Sequence, residues 1–215
     1  MVMIDDLKYF GPVPIDYQVL ADYYSHLRVP KDKISRLEKD GVLMRLKKGK
    51  YLITDNLSQQ SASMELIANH LYGPSYVSFE TALSYHGWIP ERTYLVKSAI
   101  TKRKKVFTNK LGKFEYTTVP KPYYPIGIQQ IIIEQQYAFL IATPEKALCD
   151  LVITTKGLRI QSFKAMKSYL EEDLRLQPDP NHRFDLQIFK DAANTGYKKS
   201  AILFLHTYFY QLLNL

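Results

Sequence analysis

Five segments with strand character follow one another between Thr93 and Ala142: TYLVKSAI, KKVFTN, GKFEYTTV, QQIIIE and YAFLIA. Each is short, rich in β-branched and aromatic residues, and bounded by turn formers or charge, so about fifty consecutive residues are committed to a sheet. The flanks have helical spacing instead. Upstream, MELIANHLY places Leu66, Ile67, His70 and Leu71 on one helical face before Gly73-Pro74 ends it. YVSFETALSYHGWIP then predicts a short strand, a cap at Ser78, and a helix that turns Phe79, Ala82 and Leu83 inward and stops at Gly87. Downstream, Thr143 caps a helix with Pro144 in its first turn, Glu145 near its positive end, and Ala147, Leu148, Leu151 and Val152 as its buried stripe. Phe163 to Leu174, FDLQIFKDAANTG and SAILFLHTYFYQLLNL predict further helices, with QPDPNHR as a turn or short linker. Strands clustered between helices predict the α+β class: a mixed α/β domain with a mostly antiparallel sheet and C-terminal helices.

Ahead of this lies a smaller unit. Residues 14–24, PIDYQVLADYY, predict a helix with Ile15, Val19, Leu20 and Tyr23 at helical spacings. SHLRV redirects the chain, and Pro30 opens a second helix of about ten residues whose inner face is Ile34 and Leu37, closed by Gly41. VLMRL and YLIT then alternate as strands around KKGK, with Gly49 reversing the chain. On this reading Arg45, Lys47, Lys48 and Lys50 splay outward, and Leu46 packs back on the helices with Tyr51 or Leu52. Helix, turn, helix and a basic hairpin predict a winged helix-turn-helix over residues 1–56. The polar stretch DNLSQQSAS is the best boundary before a second domain at 60–215. A chain of 215 residues has room for two such units.

Charge points to a partner. Lys and Arg number 29 against 21 Asp and Glu, a net charge of +8, which favours polyanions. The excess is local: nine basic and three acidic residues lie between Arg28 and Lys50, and seven basic and none acidic between Lys97 and Lys113. Arg28, Lys31, Lys33, Arg45, Lys47, Lys48 and Lys50 are candidate phosphate contacts. Lys33, Ser35, Arg36 and Lys39 line the outward face of the second helix. Arg36 is the best candidate base reader, because a guanidinium pairs bidentately with guanine. KSAITKRKKVFTNKLGK predicts a hairpin whose loop carries Lys102, Arg103, Lys104 and Lys105, a second anion-facing group.

Signals for catalysis are thin. The histidines lack metal-ligand spacing, Cys149 is the only cysteine, and no glycine-rich phosphate cradle occurs. Glu80 with His86, and Glu145 with Asp150, are the acid–base pairs on offer. A capped helix start explains Glu145, and a structural role explains His86. No catalytic residue, cofactor or metal is expected. One cysteine agrees with a reducing compartment, and neither a leader-like start nor a membrane-length apolar run is present, so the expected setting is cytoplasmic with no membrane partner.

The order PIDYQVLADYY, KISRLEKDGVLMRLKKGKYLI, YVSFETALSYHGWIPE and ATPEKALCDLV resembles the AbiEi family of antitoxins from type IV toxin-antitoxin systems, over roughly residues 5 to 155. The more specific signals are Ser78 to Leu83 closing on His86-Gly87, and Pro144 to Leu148 with Asp150. The resemblance implies a transcriptional autorepressor that binds promoter inverted repeats in double-stranded DNA and neutralises a cognate nucleotidyltransferase toxin. It carries promoter contact onto Lys33, Arg36, Lys39, Lys47, Lys48 and Lys50, and an extended DNA footprint onto Lys102 to Lys105. Residues 161–215 carry no such match. The alternative is a protein-interaction module whose winged domain and basic loop dock an acidic partner without sequence-specific DNA binding.

Overall fold

The computed structural model of the chain describes residues 7, 10–54, 63–91, 94–179 and 182–213. The boundary segment DNLSQQSAS therefore lies outside the described residues up to Ser63. Its first elements are β1 (Ile15–Asp16), α1 (Tyr17–Tyr23), α2 (Pro30–Lys39), β2 (Leu43–Lys47) and β3 (Lys50–Ile53). The strands form an antiparallel sheet in the order β1-β3-β2. Pro30 sits in the first turn of α2, where its missing N–H leaves no bond unmade. The helix expected from residue 14 starts later, because Ile15 and Asp16 pair with Tyr51 and Lys50 and satisfy their backbone groups on β3. Leu20, Tyr24, Ile34, Leu37, Leu43, Tyr51 and Ile53 join Leu7 and Ile15 in one apolar cluster.

The hairpin corrects an expectation. Leu46 and Leu52 do not pack back on these helices but belong to the core of the elements that follow. β3 is buried along its whole length, since alternate residues meet the helices on one face and the second core on the other.

That second core is built on α3 (Met64–Leu71), β4 (Ser75–Val77), α4 (Phe79–Tyr85), β5 (Leu95–Ile100), β6 (Lys105–Asn109), β7 (Gly112–Thr118), β8 (Ile128–Ile133), β9 (Tyr137–Ala142), α5 (Pro144–Thr154), α6 (Phe163–Ser168), α7 (Leu186–Asn194) and α8 (Lys199–Leu212). A π-helical turn, Tyr169–Asp173, prolongs α6. The sheet order is β6-β7-β5-β4-β9-β8. Pairs β6–β7, β5–β4 and β9–β8 are antiparallel, while β7–β5 and β4–β9 are parallel. The class is α+β with a mixed sheet.

All five expected strands form, but one connection differs. β5 and β6 are not a hairpin, because β7 lies between them and pairs with both, so residues 101–104 cross over the end of β7. The caps at Ser63 and Thr143 accept from Leu66 N–H and Lys146 N–H, as short hydroxyls do at helix starts. Ser78 also precedes a helix but caps nothing, since its hydroxyl donates to Asp150 Oδ2 at 2.5 Å. In α8, Tyr208 and Phe209 are core residues, Phe204 packs at its margin and Leu212 is exposed. No helix among the described residues is long and apolar enough to cross a membrane.

Candidate nucleic-acid interface

Helical periodicity decides which cations face outward on α2. With Ile34 and Leu37 at 2% and 3% exposure, Ser35, Arg36 and Lys39 are turned to solvent. The Arg36 side chain is 80% exposed, with Asp40 at 3.7 Å as its neighbour, an exposed pair of little energetic weight. Lys33 is half-exposed beside the Tyr24 ring. Arg28 and Lys31, before and at the start of α2, are exposed.

The hairpin cations do not all splay outward, and each has its own fate. Lys48 and Gly49 form the turn, Gly49 with φ +78, and Lys48 is exposed. Arg45 lies 3.2 Å from Glu38 and donates to the Tyr51 hydroxyl at 3.1 Å. Lys50 is 7% exposed and paired with Asp16 at 2.8 Å, so it is a structural cation joining β3 to β1. Lys47 donates to the carbonyl of Leu71 at 2.5 Å and sits over the Phe107 ring. Burial pushes the Lys47 ammonium pKa down, and the like charges of Lys50 and Lys105 add to the effect. The cause of both departures is one packing event: a hairpin covered on two faces has few directions left in which to point a side chain.

The second basic group meets the first. Lys102 donates to the carbonyl of Gly73 at 2.7 Å and lies over the Tyr72 ring. Lys105 lies over both Tyr72 and Phe107, sharing the latter ring with Lys47. Asn109 Nδ2 donates to Leu46 O at 3.3 Å, which fastens β6 to the hairpin. Arg103 and Lys104 are exposed. Among the described residues no carboxylate pairs with Lys47, Lys102 or Lys105. Two clusters distant in sequence thus adjoin across Tyr72 and Phe107, a cation-rich surface suited to phosphate oxygens. Composition offered no sign of Tyr72, Phe107 or Asn109 as its organisers, because their roles come from the docking of the hairpin.

The acid–base candidates are dispersed among separate partners. Glu80 pairs with Lys97 at 2.8 Å. His86 Nε2 lies 3.0 Å from Ala142 O and 3.2 Å from Gln129 Nε2. Glu145, 1% exposed, contacts His182 at 2.8 Å and accepts from Asp185 N–H at 3.2 Å. Asp150 sits in a closed network with Tyr76, Ser78, Tyr123 and Lys146, all of them essentially without solvent contact. The spacing of Lys146 and Asp150, four apart on one helix, was its one trace in the sequence. Cys149 is buried, and burial pushes its thiol pKa up. No cluster of three or more His, Cys, Asp or Glu able to hold a metal ion occurs among the described residues.

No protein-family model matches the sequence, and no curated protein matches it. The fold is similar to that in the crystal structure of the RV2827C protein from Mycobacterium tuberculosis, with a TM-score of 0.53 at 11% identity over 93% of this chain and 75% of that one. At that identity the likeness is one of fold.

Proposed function

We propose that this chain is a winged helix-turn-helix DNA-binding repressor and, following its resemblance to AbiEi-family antitoxins, that it acts on its own promoter and counters a nucleotidyltransferase toxin. The observation that carries the DNA-binding part is the outward face of α2, where Lys33, Arg36 and Lys39 lie beside one another with Ser35, next to a hairpin ending in Lys48. The order β1-α1-α2-β2-β3, with β1 completing the hairpin sheet, supports the winged reading. Arg36 reads base edges, while Arg28, Lys31, Lys48, Arg103 and Lys104 are exposed cations placed to meet phosphates. Lys50 is assigned to structure instead, and Lys47, with one N–H on Leu71 O, keeps its other donors for a phosphate. The antitoxin part rests on the resemblance, whose two most specific motifs meet in the core through Ser78 and Asp150.

The test is fluorescence anisotropy with promoter and scrambled duplexes. Arg36→Ala should narrow the gap between the two, whereas Lys48→Ala should weaken both alike. Equal behaviour of the two variants would sink the assignment of α2 as the reading helix. One observation favours a second reading: three of the four hairpin cations, Arg45, Lys47 and Lys50, are engaged within the protein, as a docking platform for an acidic protein would allow. Failure of the wild-type chain to retain any duplex at low salt would select it.

A further inference from the structure

The two edges of the six-stranded sheet differ in kind. At the β6 edge the hairpin lies alongside through Asn109 and Lys47, and Lys102 to Lys105 surround it with positive charge. Cover and charge are the devices that stop an edge from recruiting another strand. β8 has neither. Its strand partner is β9 alone, and its outer backbone groups have no protein partner among the described residues. IQQIII contains no charge, proline or glycine, and its register with β9 runs from Ile128↔Ala142 to Ile133↔Tyr137 without a bulge. Ile132 on this edge is 63% exposed and Leu140 beside it 38%. From Pro122 to Pro144 the only charged residue is Glu134, in a chain of net charge +8.

We propose that β8 pairs antiparallel with β8 of a second copy, about a twofold axis through Gln130, joining the two six-stranded sheets edge to edge. Self-complementarity selects a second copy, because the edge is uncharged and its own reversed register sets isoleucine opposite isoleucine. Two chains of +8 repel one another most where their basic clusters lie, and least at an uncharged edge. An axis perpendicular to the sheet keeps faces matched, so Ile132 lies opposite Ile128 of the second copy and each covers the other. The two Glu134 carboxylates then end about 26 Å apart at about 3.3 Å per residue, well beyond the screening length of about 8 Å. The inference stands on the sheet edge and is independent of DNA binding.

Sedimentation equilibrium of the full chain at roughly 10 to 100 μM should show a monomer–dimer equilibrium. Ile132→Lys should raise the dissociation constant about tenfold or more, and Val106→Lys, on the β6 edge, should leave it unchanged. Gln130→Cys supplies a thiol at the axis, while Cys149 stays buried, so a mild oxidant should give a disulfide-linked dimer. Circular dichroism checks that the variants fold, and the cysteine variant carries the test if the lysine variant does not. A wild-type monomer across this range that also fails to crosslink overturns the proposal. So does a chain whose β8 amides gain hydrogen-exchange protection only when a different protein is added.

Discussion

Asp150 shows how a single buried residue shapes the backbone around it. Its carboxylate accepts from Ser78, Tyr123 and Tyr76 at 2.5, 2.7 and 3.3 Å, with the Lys146 ammonium 3.4 Å away. Burial, reinforced by the Asp150 charge, holds both tyrosine pKa values well above the ordinary range, so their hydroxyls remain donors. Burial also pushes the Lys146 pKa down, against the pull of Asp150. The network anchors the point where β4 turns into α4 without a loop, at Phe79 with φ +60, a conformation that costs an aromatic residue about 1–3 kcal/mol. Ser78→Ala should therefore lose about 1–3 kcal/mol in urea unfolding, since a buried carboxylate oxygen loses its donor. Ser98 has a buried hydroxyl with no partner among the described residues, so Ser98→Ala should be neutral or stabilising. Equal losses for the two would refute the role given to Asp150. A second residue-scale prediction concerns pH. The His70 pKa is lowered, first by burial and then by the Lys50 charge, with Asp16 opposing. The unfolded chain then takes up the proton more readily, so stability is full above the ordinary value of about 6.5 and declines as pH falls below it. His86 has the same sign, again from burial. Melting temperature should drop on acidification from neutral pH, and more shallowly in a His70→Gln variant; parallel curves would contradict it.

At the scale of elements, the β2–β3 hairpin couples the two halves of the chain, because it belongs to both cores. Tyr51 and Ile53 close the first cluster and Leu46 and Leu52 enter the second. Leu46→Ala should cost about 2–5 kcal/mol, and the loss should vanish in an isolated fragment of residues 1–56, where Leu46 has no second core to fill. A fragment penalised as heavily as the full chain would show that Leu46 packs on the helices after all. The same hairpin marks where sequence stops being informative. The inner face of α2 was legible because Ile34 and Leu37 obey a local period, and the five strands were legible because their composition is local. What a neighbour covers is not local. Four lysines and arginines around one glycine look alike in sequence, yet Lys50 is buried against Asp16 while Lys48 stays in solvent. Likewise the crossover that inserts β7 between β5 and β6 is decided by pairing across the sheet, so KRKK reads as a hairpin loop in sequence alone. The outward cations of α2 were therefore foreseeable, whereas the Tyr72 and Phe107 platform that joins the second basic group to the hairpin was not.

At the scale of the molecule, charge is polarised along the sheet. β6, with the basic crossover and the hairpin, stands at one edge and the uncharged β8 at the other, five strand spacings or about 24 Å away. On the proposed DNA-binding reading a polyanion is drawn to one side, and net charge and charge placement become separable. Neutralising Arg103 and Lys104 as glutamines takes +8 to +6, and so does neutralising Lys190 and Lys199, which lie outside both basic clusters. If the crossover touches the duplex, the first pair of changes should lower the log–log salt slope of binding by about 2, at about 0.9 for each phosphate that the protein no longer neutralises. The second pair should leave the slope unchanged and weaken binding only slightly, through long-range attraction. Matching slopes for the two variants would mean that only total charge matters. In that case DNA contact would be confined to α2 and the Lys48 turn, with the Lys102 and Lys105 platform left to the docking of the hairpin.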